Sequence, residues 1–142
     1  MKISKPVERW FDVPDDPDKA RLKIKHLSPG ERSEIFDQAF KQSVSYTKTD
    51  DGKYEPLFSQ DTDKKADREL TIVKSVVDWE NFFDHDDKSL ACTPENVLRA
   101  SKEIEGFNVL INELRAVLEA DIKEEQEQQR KNSQSSVSGR KK

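Results

Sequence analysis

Cysteine occurs once in this 142-residue chain, histidine twice and glycine four times. The lone Cys92 excludes an intrachain disulfide and any cysteine-based metal site. A reducing, cytosolic setting is the default for such a chain. His26 and His85 lie far apart, with no second ligand at metal spacing beside either. No apolar run approaches the roughly 20 residues that a membrane span needs. The opening MKISKPVERW has no apolar stretch of the kind a secretion signal carries, so none is expected. An excess of cations is also missing. Lys+Arg total 25 against 29 Asp+Glu, a formal net charge of -4 with both signs interspersed, which argues against a nucleic-acid surface.

What is present is a chain 32% hydrophobic and 38% charged, polar for a fully globular protein. Its apolar residues are clustered, so one modest core with solvated extensions fits better than disorder throughout. The expected organisation is a single α+β domain over residues 1–122, followed by a charged, polar tail over 123–142. That tail extends the last helix and is expected to be disordered beyond about Gln128. The fold expected is mostly helical, with N-terminal β-hairpins packed with three to four helices.

The stretch from Asp67 to Asn96 organises this reading. Leu70, Val73 and Val77 fall at helical spacing, and Ile72, Val76, Trp79 and Phe83 form an adjoining row. They predict one central amphipathic helix, ended by the acidic run Asp84 to Lys88. Thr93-Pro94-Glu95 starts another helix: Thr93 as N-cap, Pro94 at the first turn, Glu95 against the positive helix end. Upstream, Val7 to Val13 and Ala20 to Leu27 alternate as strands around the Pro14 to Asp18 turn, predicting an antiparallel hairpin. Ser28-Pro29-Gly30-Glu31 is a capping box for a helix to about Lys41, with Ile35, Phe36, Ala39 and Phe40 as its stripe. A second hairpin is predicted around Asp51-Gly52, with Pro56 demoting its second strand to an edge. Ser59 to Lys65 reads as loop. After a break at Gly106, the residues Phe107, Leu110, Ile111, Leu114, Val117, Leu118 and Ile122 trace a last helical stripe.

No catalytic constellation emerges, and no cofactor or metal is expected. Asp84 to Lys88, with Glu95 beyond, has the outline of a calcium loop. Lys88 and Ser89, however, stand where an oxygen ligand and a glycine are required, so a solvated turn is the better reading. His26 reads as a partly buried strand residue and His85 as exposed. Cys92 sits before a helix N-cap, where thiols can be activated, yet a packing role against Val97 fits better. Trp10, Phe11, Trp79, Phe82 and Phe83 divide between core and a partner-binding patch. The cations Arg21, Lys23 and Lys25 share one strand face, either merely solvated or set to steer an acidic partner.

The order of these motifs resembles the small tail assembly chaperones of long-tailed bacteriophages and prophages. WFDVPDDPDKARLKIKHLSPGE is similar to their opening. The Asp51-Gly52 hairpin resembles their variable second hairpin, and VVDWENFFDHDDKSLACTPEN resembles their most recognisable line. A helix beginning near Gly106-Phe107 is similar to their closing one. The likeness spans about residues 7–120 and departs at Lys88-Ser89-Leu90, which lacks the glycine common in that turn.

The resemblance implies a non-enzymatic protein of the host cytoplasm, absent from the mature virion. It would bind the tape measure protein, keep it soluble and help recruit tail tube subunits, with self-association as a further contact. Neither nucleic acid nor membrane is implied as a partner. In many such systems a programmed frameshift yields a longer form, and Lys141-Lys142 is compatible with one. The alternative is a structural or tail-completion component of the virion. A small enzyme or metal protein is the third reading, and it lacks a recognisable cluster of titratable groups.

Overall fold

A computed structural model describes residues 1–48, 51–58 and 60–140, with side chains placed outside 41–50, 54–63 and 134–142. Strands β1 (Glu8–Asp12) and β2 (Arg21–Lys25) pair antiparallel, with Trp10 opposite Lys23 and Phe11 opposite Leu22. Alternation sends Leu22 and Ile24 fully into the core and Phe11 partly so, while the cations face outward. The expected hairpin is therefore present.

Helix α1 (Pro29–Ser43) starts on the predicted box. Ser28 Oγ accepts from Glu31 N at 3.2 Å, and Glu31 Oε1 accepts from Ser28 N at 3.1 Å. An arm formed by β3 (Val44–Lys48) and β4 (Tyr54–Phe58) follows, paired antiparallel, with Tyr46 opposite Pro56. In a two-stranded sheet both strands are edges, which is why Pro56 is tolerated. Gly52 in its turn has φ +78, and Thr49 and Asp50 of the same turn lie outside the described residues.

Helix α2 (Gln60–Ser75) then packs along α1, with Lys74 on Glu34 at 2.9 Å. Two expectations are corrected here. Gln60 to Lys65 is helix, not loop: its run of polar residues carries no apolar periodicity that would announce one; Ser59 lies outside the described residues. The central helix also stops at Ser75, and Val76–Glu80 is a strand, β5, paired antiparallel with β2.

A bulge explains that second miss. Leu22 opposes Trp79, Lys23 opposes Asp78 and Ile24 opposes Val76, so Val77 is the extra residue. Val76 and Trp79 then both face inward three positions apart, where a regular strand would place inward residues at steps of two. A bulged strand thus reproduces helical spacing. Ser75, fully buried at the junction, donates from Oγ to the Thr71 carbonyl at 2.6 Å, which satisfies its hydroxyl where the helix gives way.

The sheet order is β1-β2-β5. Helix α3 (Pro94–Glu103) opens as expected, with Thr93 Oγ1 accepting from Asn96 N at 3.2 Å. Gly106, at φ +77, turns the chain into α4 (Phe107–Arg140). Ser101 and Asn108 are hydrogen-bonded across that corner at 2.6 Å. Phe107, Ile111 and Leu118 seal the sheet together with Ile72, Val97 and Ala100. Arg9 of β1 bridges to Asp121 of α4.

Past Ile122 the side chains are exposed through residue 133, as expected for a solvated extension. The helical backbone continues to Arg140, further than the Gln128 boundary. Good helix formers as far as Lys131 and the Glu127–Arg130 pair support the start of that continuation. The architecture is α+β, mostly helical, with four helices and two sheets among the described residues. None of these helices is long and apolar enough to cross a membrane.

Candidate functional site: an acidic cleft with an apolar floor

The five aromatic residues singled out from the sequence separate by depth. Trp79 and Phe82 are core, stacked at 4.3 Å between centroids, and Phe82 meets Phe107 edge-on at 6.3 Å. The Trp79 indole N–H donates to the Leu90 carbonyl at 2.8 Å. Both rings are out of a partner's reach in this conformation, which corrects the expectation that they contribute to a docking patch. Phe11 is half-buried against the same core. Trp10 lies on the outer sheet face, with the Arg21 guanidinium 5.0 Å and the Lys23 ammonium 6.0 Å from its ring centroid. Phe83 alone of the five is exposed, at 43%.

The basic strand face is internally neutralised. Arg21 contacts Asp12 at 3.0 Å and Glu80 at 3.4 Å, Lys23 contacts Glu8 at 3.1 Å, and Lys25 contacts Glu31 at 2.9 Å. It reads as a solvated ion-pair lattice rather than a steering patch. The Lys25 ammonium, ahead of the Ser28 backbone and hydroxyl, holds the Glu31 carboxyl below its usual range against the opposing effect of burial.

A cleft of about 370 Å³ opens beside Phe83, where the β1–β2 turn, the β5–α3 loop and the α3–α4 corner converge. Val13, Ala20, Phe82, Phe107 and Leu110 form its floor, and Phe83 and Ile104 stand at its lip, 43% and 45% exposed. Its rim is Asp16, Asp18, Asp84, Asp87 and Glu105, with no Lys, Arg or His in the lining. None of these five carboxylates has an ion-pair partner among the described residues.

Two of the five are held by backbone. Asp16 accepts from Ala20 N at 2.9 Å. Asp84 accepts from Lys88 N and Asp86 N, each at 2.9 Å, and the Lys88 amide above all holds its carboxyl below the usual range. The two loops walling the cleft carry every non-glycine residue with a left-handed backbone among the described residues: Asp15, Lys19, Asn81 and Asp87. Asn81 ties the walls together by donating to the Lys19 carbonyl at 3.0 Å.

The remaining candidates take simpler places. His26 is partly buried, and its backbone N–H donates to Val7 O at 2.8 Å. His85 is exposed, 3.4 Å from Asp86. Cys92 packs against the core, and burial, followed by the Asp78 carboxylate, pushes its thiol up to about 11. At that value the thiol is protonated at neutral pH, in keeping with its packing against the core. Among the described residues, no three His, Cys, Asp or Glu side chains are grouped to hold a metal ion.

Besides Ile104 at the cleft lip, further exposed apolar side chains stand away from the cleft: Phe36 (64% exposed) and Phe40 on α1, and Val109 and Val117 on α4. The signal was in the width of the α1 stripe. Ile35 and Ala39 fill the contact with neighbouring elements, and Phe36 and Phe40, each one position further round, fall outside it. Comparison with known protein families, with curated proteins and with solved structures finds no match for this chain.

Proposed function

We propose that this protein is a non-enzymatic binding module that acts as a tail assembly chaperone of a long-tailed bacteriophage or prophage. Its client would be the tape measure protein, kept soluble while tail tube subunits are recruited. The observation that carries the reading is the apolar surface left outside a complete core. Phe36, Phe83, Ile104, Val109 and Val117 are exposed, although Leu22, Ile24, Ile72, Ile111 and Leu118 already form a sealed interior. Large side chains left in water beside a finished core suit a protein that shares them with another polypeptide. A client helix would lay its apolar stripe on such positions, and the surrounding charges would keep the complex soluble. The choice of client rests on the resemblance of the ordered motifs over about residues 7–120 to the tail assembly chaperones.

Co-expression with a tape measure protein from the phage or prophage genome that carries this gene tests the reading. The expected result is a soluble complex that co-purifies and that a Phe36→Ser, Val117→Ser variant weakens at least tenfold. A client that remains equally insoluble with and without the chain would overturn it. Mass spectrometry of purified particles provides a second check: the chain should be absent, and a stoichiometric amount would make it a virion component instead.

A further inference from the structure

We propose that the acidic cleft is one half of a self-association site, and that it receives the Arg32–Phe36 ridge of helix α1 from a second copy of the chain. The proposal does not depend on which client the protein serves. The cleft combines an apolar lip, Phe83 and Ile104, with five carboxylates that have no cation among them. Its complement is a large apolar side chain beside an uncommitted positive charge.

The chain displays that combination on its own surface. Phe36 is exposed at 64%, more than any other aromatic residue whose side chain is described. Arg32 lies one helical turn before it, on the same side of α1, and both border one shallow hollow with Pro29 and Ser33. Arg32 has no ion-pair partner among the described residues. In the second copy the Phe36 ring would lie against Phe83 and Ile104, and the Arg32 guanidinium would reach Asp18, Asp87 or Glu105. Asp37 also borders the hollow and offsets part of that attraction, so the contact is weak.

One molecule cannot satisfy itself in this way. The cleft lies at the Ala20 end of β2, and α1 departs beyond the Lys25 end. Five strand residues at about 3.3 Å each hold the two apart by roughly 16 Å. The contact therefore joins two different surfaces of two copies: closed reciprocally about a two-fold axis it gives a dimer, and left open it runs head to tail with a free cleft at one end and a free ridge at the other.

Sedimentation velocity on the full chain tests this. At low salt the weight-average mass should rise between about 10 μM and about 1 mM, and at ~0.5 M salt it should return to that of a monomer. Two variants should each stay monomeric: Phe36→Ser, and the combined Asp18→Asn, Asp87→Asn, Glu105→Gln chain, in which asparagine suits the left-handed backbone at position 87. Arg32→Glu is an independent ridge variant should Phe36→Ser lose its fold.

Mixing the ridge variant with the cleft variant should restore association and stop it at a one-to-one pair, since only one intact cleft then meets one intact ridge. A wild-type chain that stays monomeric across the range would overturn the proposal. So would variants that associate as wild type does, or a mixture that stays monomeric when the wild type assembles.

Discussion

On the outer face of the three-stranded sheet, each of Arg21, Lys23 and Lys25 has a carboxylate within 3.1 Å, and two of the three also lie over Trp10. At the turn end of the same sheet, Asp16, Asp18, Asp84, Asp87 and Glu105 surround an apolar floor with no cation in the lining. Both regions draw on the same abundant charged residues. In the first the charges cancel locally and the surface offers little to a partner. In the second they share one sign, so a concave apolar surface presents a negative potential to solvent. Counting charges along the chain does not distinguish the two regions; register does, because it decides which carboxylate faces which cation.

The largest test of this contrast removes the support beneath both regions. Trp79→Ala should cost about 4 kcal/mol of stability by urea denaturation, because the ring stacks on Phe82 and its N–H is committed to Leu90. A loss under about 1 kcal/mol would mean that the two regions do not share a floor. Next, Gly106→Ala should cost about 1 kcal/mol through its left-handed backbone alone, since a Cβ there meets nothing within 4 Å. The cleft wall would loosen while the ion-paired face is unaffected, which amide exchange would show.

On the paired face, Glu31→Gln should cost at most about 1 kcal/mol. The sign with pH follows from the lowered carboxyl of Glu31. Its contribution is complete above the unfolded value near 4.5 and disappears as pH falls through the lower folded value, so wild type and variant should converge in acid. The smallest effect is expected at the rim. Neutralising Asp18, Asp87 and Glu105 together should change stability by no more than about 0.5 kcal/mol, since no ion pair is lost. A large loss there would show that the rim carboxylates are structural after all.

Much of the frame was legible because it depends on local chemistry. Ser28 with Glu31, Thr93 with Pro94, Asp51-Gly52 and Gly106 each act within a few residues, and each marks the boundary it was expected to mark. The alternation of Leu22 and Ile24 likewise placed β2. What stayed hidden depends on contacts distant in sequence. β5 was read as helix because the bulge at Val77 puts Val76 and Trp79 at helical spacing, and only pairing with β2 reveals the strand. The first turns of α2 carry no apolar periodicity at all. The cleft could not be read because its carboxylates come from three separate segments, between Asp16 and Glu105. For the aromatic residues, composition counted the rings but not their depth, so Trp79 and Phe82 were grouped with Phe83, and Phe36 was assigned to the stripe of α1.

The pairing of β2 with β5 has one further consequence. These neighbouring strands end and begin at Lys25 and Val76, and everything between them, α1, the β3–β4 arm and α2, forms an excursion that leaves the sheet and returns to it. Closing so long a detour is entropically slow, so the N-terminal hairpin should form before its third strand arrives. The same layout makes the excursion a place where length can vary: related chains could lengthen or trim the arm at its tip and change how far the molecule reaches without redrawing the sheet.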